Sequence, residues 1–204
     1  MIARHLLAAI LSLILAGPAL AQSDPERLVE AMQKGGTVVF LRRAATVESQ
    51  IDTGRLENRA GQRNLSEAGT RQAKALGAAF EALDIAFARI LVSPVFRSRD
   101  TGEFAFGVGR VEVTMDLVAD DYAGPHLGRM LAATERLLTT QPEPKGANIL
   151  LVGHRTPLEM VTRRSFGDDI LPEGAMAIFA PSAEATRLLG TLIADDLIDI
   201  AEAP

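Results

Sequence analysis

Apolar residues run along this chain in two alternating styles, and the alternation predicts its elements. Short blocks of β-branched and aliphatic residues at 37–41, 89–92, 111–114 and 149–152 have the pattern of buried parallel strands. Longer stretches between them carry apolar residues at helical spacing, with start and stop signals at their ends. Asp24-Pro25 opens a helix that runs to Lys34 and stops at Gly35-Gly36, and Ser66 caps one reaching about Leu83. Ser93-Pro94 opens a helix to about Phe104. Gly124-Pro125 leads into one reaching Thr140, and Thr156-Pro157 starts another. Residues 175–180 and 188–193 flank a Pro-Ser turn and read as a closing antiparallel pair. Strands alternating with helices imply an α/β fold: a three-layer α/β/α sandwich over a mainly parallel sheet with an antiparallel edge. Residues 42–64 are polar and aperiodic, and a loop that long in one domain is usually functional.

The first block differs from the rest. Residues 6–15 are apolar apart from Ser12, Gly17-Pro18 follows, and Ala19-Leu20-Ala21 has the small-x-small pattern read by a signal peptidase. Residues 1–21 are expected to be a signal peptide and 22–204 a single domain. The product is then periplasmic or secreted, with no membrane segment after cleavage. Cleavage removes Arg4 and no acid, taking the formal charge from −5 to −6. It also removes His5, leaving His126 and His154.

An acidic balance argues against a nucleic-acid partner, because no net positive field displaces counterions from phosphates. Aromatics at 4% offer little on which to stack bases. The absence of cysteine excludes disulfides, thiolate metal sites and a cysteine nucleophile. Two remaining histidines without paired ligand spacing point to no metal, and no cofactor is expected.

In open α/β sheets, ligands bind beyond the carboxyl ends of the strands. Three of those exits here carry cations or histidine. Arg42-Arg43 follows the first strand, Arg97 lies in the segment Ser93–Thr101 after the second, and His154-Arg155 follows the fourth. Guanidinium forks match phosphate oxygens, so Arg42, Arg43, Arg97 and His154 form a candidate phosphate site.

On these residues the chain resembles the histidine phosphatase superfamily, with its phosphoglycerate mutase-like fold. The likeness is closest over Gln62-Arg63-Asn64-Leu65-Ser66-Glu67-Ala68-Gly69. It extends through Ser93–Thr101, Gly153-His154 and Leu171-Pro172-Glu173-Gly174. The resemblance implies that Arg42 and Arg97 bind phosphate and that His154 is the second, phosphate-contacting histidine. It also places Arg43 where the family has its nucleophilic histidine. Arginine stays protonated and has no lone pair to offer, so Arg43 is not expected to be a nucleophile. The family's general acid would fall among Asp116, Asp120 and Asp121, with nothing to choose between them. His126 matches no motif, which leaves it a capping or surface role.

Two functions follow. One is a catalytically impaired protein binding phosphate, sulfate or a phosphorylated small molecule or glycan through an unusually cationic arginine cluster. The alternative is an active exported phosphomonoesterase using altered chemistry at the same site. The cations are also expected to hold His154 neutral.

Overall fold

The computed structural model describes residues 24–182 and 186–203, and the proposed signal peptide lies outside them. Helix α1 (Pro25–Lys34) starts on Asp24, whose carboxylate accepts from the Glu26 amide, and leads into β1 (Val38–Arg42). After the long loop come α2 (Glu67–Ala82), β2 (Phe87–Val92), α3 (Phe96–Phe106) and the two-residue β3 (Glu112–Val113). Short α4 (Asp120–Ala123) precedes α5 (Leu127–Thr139) and β4 (Asn148–Gly153). The chain closes with α6 (Arg155–Thr162), α7 (Gly167–Ile170), β5 (Met176–Ala180), β6 (Arg187–Leu192) and α8 (Ala194–Glu202).

The sheet order is β3-β2-β4-β1-β5-β6. The four strands β1 to β4 pair in parallel, and β5 and β6 add antiparallel at one edge. This is the three-layer, mainly parallel architecture expected from the pattern of apolar blocks. Side-chain alternation along β1 separates the layers. Val39 and Leu41 pack with α1, α2 and α8, while Val38 and Phe40 face the opposite cluster with Leu138, Leu158 and Phe166.

Buried Asn148 locks the amino ends of the strands together. Its Oδ1 accepts from Thr37 N and Oγ1 at 3.1 and 2.7 Å, and its Nδ2 donates to the carbonyls of Met32 and Ala86.

Three details depart from expectation. The helix expected from Gly124-Pro125 is preceded by α4 and a 3-10 turn, because Gly124 takes φ of +50° and breaks the helical path. The third strand is shorter than 111–114, since only Leu91 and Val92 of β2 pair with it. Helix α8 lies beyond the last expected strand. Its apolar side, with Leu197 fully buried, covers the cluster shared by α1 and α2.

Candidate active site

The carboxyl ends of β1, β2 and β4 meet at a cavity of about 640 Å³. Arg42, Arg43, Arg97 and His154 all line it, and each is more than nine-tenths buried. The four residues read from the strand exits are therefore brought together. Local hydrogen bonds hold those exits. Gln62, itself buried, accepts from the Phe96 amide at 2.9 Å and donates to the carbonyls of Arg55 and Leu56, fastening the long loop to the start of α3. Ser66 caps α2 by accepting from Gly69 N. At Gly69 a Cβ would collide with the Ala45 carbonyl, so the segment after β1 rests directly on this helix. Ala44 N donates to Thr101 Oγ1 at 3.0 Å, tying the same segment to α3.

Each arginine at the centre of the site is met by a carboxylate. Arg42 Nη1 donates to Asp168 Oδ1 at 2.6 Å and to the Leu171 carbonyl at 2.5 Å. Arg43 is ion-paired with Glu173 and donates to Thr46 Oγ1 at 3.0 Å. Arg97 Nη1 contacts both Asp52 oxygens, at 2.8 and 3.0 Å, and Tyr122 Oη donates to the same carboxylate at 2.6 Å. Arg155 shares Asp168 with Arg42. The expectation of an unusually cationic pocket is corrected here. Five arginines line the cavity against five carboxylates, so its fixed charges balance.

Glu173 reaches Arg43 because backbone bonds place it there. The Gly174 amide donates to the carbonyls of Arg42 and Arg43, and Gln72 Nε2 donates to the Glu173 carbonyl. The carboxylate then accepts from Thr46 N at 2.9 Å and Thr46 Oγ1 at 3.1 Å. Partial burial alone would raise its pKa, but Arg43 and the Thr46 donors outweigh that and hold it below the ordinary glutamate value. Burial pushes Arg43 down to about 10, helped by Arg97 and Arg42 and opposed by Glu173, so it stays protonated at neutral pH.

His154 Nε2 lies 3.0 Å from Ser93 Oγ and 3.2 Å from Ser98 Oγ, leaving Nδ1 without a hydrogen bond to any described residue. Its pKa is lowered well below the ordinary value, first by burial and then by Arg97, Arg43 and Arg42. The direction matches the expectation, although the leading cause is desolvation rather than the cations.

Among the acids considered for proton donation, Asp120 and Asp121 line the cavity and Asp116 does not; Asp116 borders a separate small cavity with His126. The Asp121 carboxyl is held above its ordinary value by partial desolvation and by Asp52 and Asp120, against the pull of Arg97. His126 sits exposed at the start of α5 and makes no side-chain cap.

Asp52, Asp168, Arg63 and Tyr122 were not anticipated as parts of the site. Glu173 lay in a recognised motif without a role. Buried arginines require counter-charges, and that requirement was the available signal that such acids exist. It does not say where they lie in sequence. Arg63 contributes a buried Nε with no hydrogen-bond partner among the described residues, as does Arg155.

No protein-family model matches the chain, and no curated protein matches it in sequence. Solved structures do share its fold, which is the phosphoglycerate mutase-like one. The chain superposes on the protein histidine phosphatase SixA complexed with tungstate with a TM-score of 0.55 and 16% identity, over 79% of this chain and 99% of that one. A mutant phosphoserine phosphatase from Entamoeba histolytica, in complex with phosphoserine, gives 0.55 and 14% over 79% and 98%. The ecdysone phosphate phosphatase of the silkworm Bombyx mori, in complex with tungstate, gives 0.51 and 14% over 75% and 91%. At these identities the likeness establishes the fold.

Proposed function

We propose that this chain is a catalytically silent member of the histidine phosphatase superfamily that is exported and holds phosphate, sulfate or a phosphorylated ligand in the arginine-lined cavity. One observation carries the reading. Arg43, the residue that the sequence resemblance puts at the family's nucleophile position, is a buried, protonated guanidinium committed to Glu173. It can help bind an anion and has no electron pair to attack phosphorus. The buried Nε–H of Arg63, which has no hydrogen-bond partner among the described residues, supports an anionic ligand, since such a donor is costly until an acceptor arrives. The tungstate and phosphoserine held by proteins of the same fold support the same class of ligand.

Calorimetry with phosphate and sulfate tests this. Saturable binding in the millimolar range or tighter, lost in Arg42→Ala, is expected. Hydrolysis of an aryl phosphate should stay near background in the wild type and appear weakly in Arg43→His.

A second reading, an active phosphomonoesterase, draws on His154. A neutral imidazole whose Nδ1 is unengaged meets the electronic requirement for a nucleophile in the tautomer where Nε2 carries the proton and donates to Ser93 or Ser98. Wild-type turnover that vanishes in His154→Ala would decide for it.

A further inference from the structure

Each central arginine is divided between the protein and the cavity. Arg42, Arg43 and Arg97 all meet their polar partners through Nη1. For Arg42 these are Asp168 and the Leu171 carbonyl, for Arg43 Thr46, the Ala44 carbonyl and Glu173, and for Arg97 Asp52. Nη2 and Nε of the three donate to no described residue, and unlike Arg63 Nε they are not enclosed. Three guanidinium edges, delivered by the exits of β1 and β2, are therefore left open on the cavity these residues line. A carboxylate already fixes each one in place, so the donors are preorganised for an anion.

The same wall carries an acceptor. Glu173 lines the cavity beside Arg43, and an ionised carboxylate has about four lone-pair sites. Thr46 N, Thr46 Oγ1 and Arg43 take three of them, and Arg63 Nη2, 3.7 Å from Oε1, is too far to take the fourth. Asp168 also lines the cavity, but at 72% exposure its oxygens are met by water, whereas Glu173 is only 23% exposed. Glu173 is moreover held by the backbone bonds of Gly174 and Gln72 and stays ionised, so it can accept a proton donor and cannot offer one. Neutral His154 presents either a lone pair or a proton at Nδ1 according to tautomer, so it imposes no choice on a ligand.

An entering anion thus meets fixed donors and a fixed acceptor side by side. On the planar fork of Arg43, an oxygen received by Nη2 lies close to the carboxylate held on Nη1. Sulfate offers acceptors only, so it sets lone pair against lone pair at Glu173. Monohydrogen phosphate has the same shape and charge plus one O–H, which turns that clash into a charge-assisted hydrogen bond.

We infer that the site selects an anion that brings its own proton: it takes monohydrogen phosphate on the open edges of Arg42, Arg43 and Arg97, receives the phosphate O–H at the carboxylate of Glu173, and discriminates against sulfate. The inference rests on the phosphate-binding reading and narrows its ligand. It makes Glu173 the residue that sets specificity, in addition to its pairing with Arg43.

The test is calorimetry of the full chain at about pH 8 with inorganic phosphate, sulfate and ethyl phosphate. At that pH the first is mostly the monohydrogen dianion, while the other two are dianions without a proton. Phosphate should bind about tenfold tighter than either, or more. In Glu173→Gln, whose amide can turn an N–H toward the ligand, sulfate should gain more than phosphate and the ratio should shrink. Sulfate or ethyl phosphate matching phosphate on the wild type would overturn the inference while leaving the phosphate reading intact. A ratio unchanged in Glu173→Gln, with folding verified by its thermal transition, would overturn it too. Should that variant not fold, the three anions on the wild type decide alone. If none of them binds, the phosphate reading fails and this inference with it.

Discussion

Replacing Glu173 by glutamine removes one charge from a largely buried ion pair of the site and leaves its shape nearly unchanged. Arg43 has a side-chain exposure of 9%, so water from the cavity replaces the lost partner only in part. Removing one member of a buried pair typically costs about 3–5 kcal/mol. Glu173 is itself 23% exposed, and glutamine keeps one oxygen for the Thr46 donors, so about 2–4 kcal/mol is expected here. For a domain of this size each kcal/mol lowers the melting temperature by about 2–4 °C, giving a fall of roughly 5–15 °C. The assay is thermal unfolding with and without phosphate. Because Glu173 occupies Arg43 as an internal anion, its neutral replacement frees the guanidinium, and phosphate should raise the melting temperature more in the variant than in the wild type. A variant that melts within about 2 °C of the wild type and responds identically to phosphate would refute the reasoning.

Two further outcomes follow from the same geometry. His154 has a lowered pKa when folded, so the unfolded chain binds its proton first. The stability contributed by the neutral ring is complete above pH 6.5, the ordinary histidine value, and declines as pH falls below it at about 1.4 kcal/mol per unit until the folded pKa is reached. Denaturant unfolding between pH 5 and 8 should show this limb in the wild type, and His154→Gln should flatten it. Gly69→Ala should destabilise by about 1–3 kcal/mol in urea melts, because the added methyl meets the Ala45 carbonyl and must push the segment after β1 away from α2.

How much of this could be read from the residues depended on whether a partner was local. Strands β1, β2 and β4 stood out because the buried stretches of parallel strands are uninterrupted apolar runs, and the residues following them are cavity residues by the geometry of such sheets. Arg42, Arg43, Arg97 and His154 were legible for that reason. Their counter-charges were not. Asp52 sits in an aperiodic loop, Asp168 lies in a four-residue helix, and each meets an arginine tens of residues away or more. Without those pairings the cluster looked strongly cationic. Helix α8 escaped notice for another reason. Ala194-Asp195-Asp196-Leu197 has an acidic first turn but no side-chain cap, and its apolar residues continue directly from β6, which blurs the change of period.

The bond between Arg43 and Glu173, two residues 130 positions apart, bears on whether a nucleophile placed at position 43 could work. In Arg43→His the imidazole would find a carboxylate waiting beside it, held there by the Gly174 and Gln72 contacts to the backbone. A neighbouring carboxylate favours the imidazolium, the protonation state without a free lone pair. That single change therefore gains little. The carboxylate must leave as well, and without arginine to neutralise it that acid is a liability to the fold. The pair entrenches itself: each member makes loss of the other costly, and a change at either position calls for a matching change at the other.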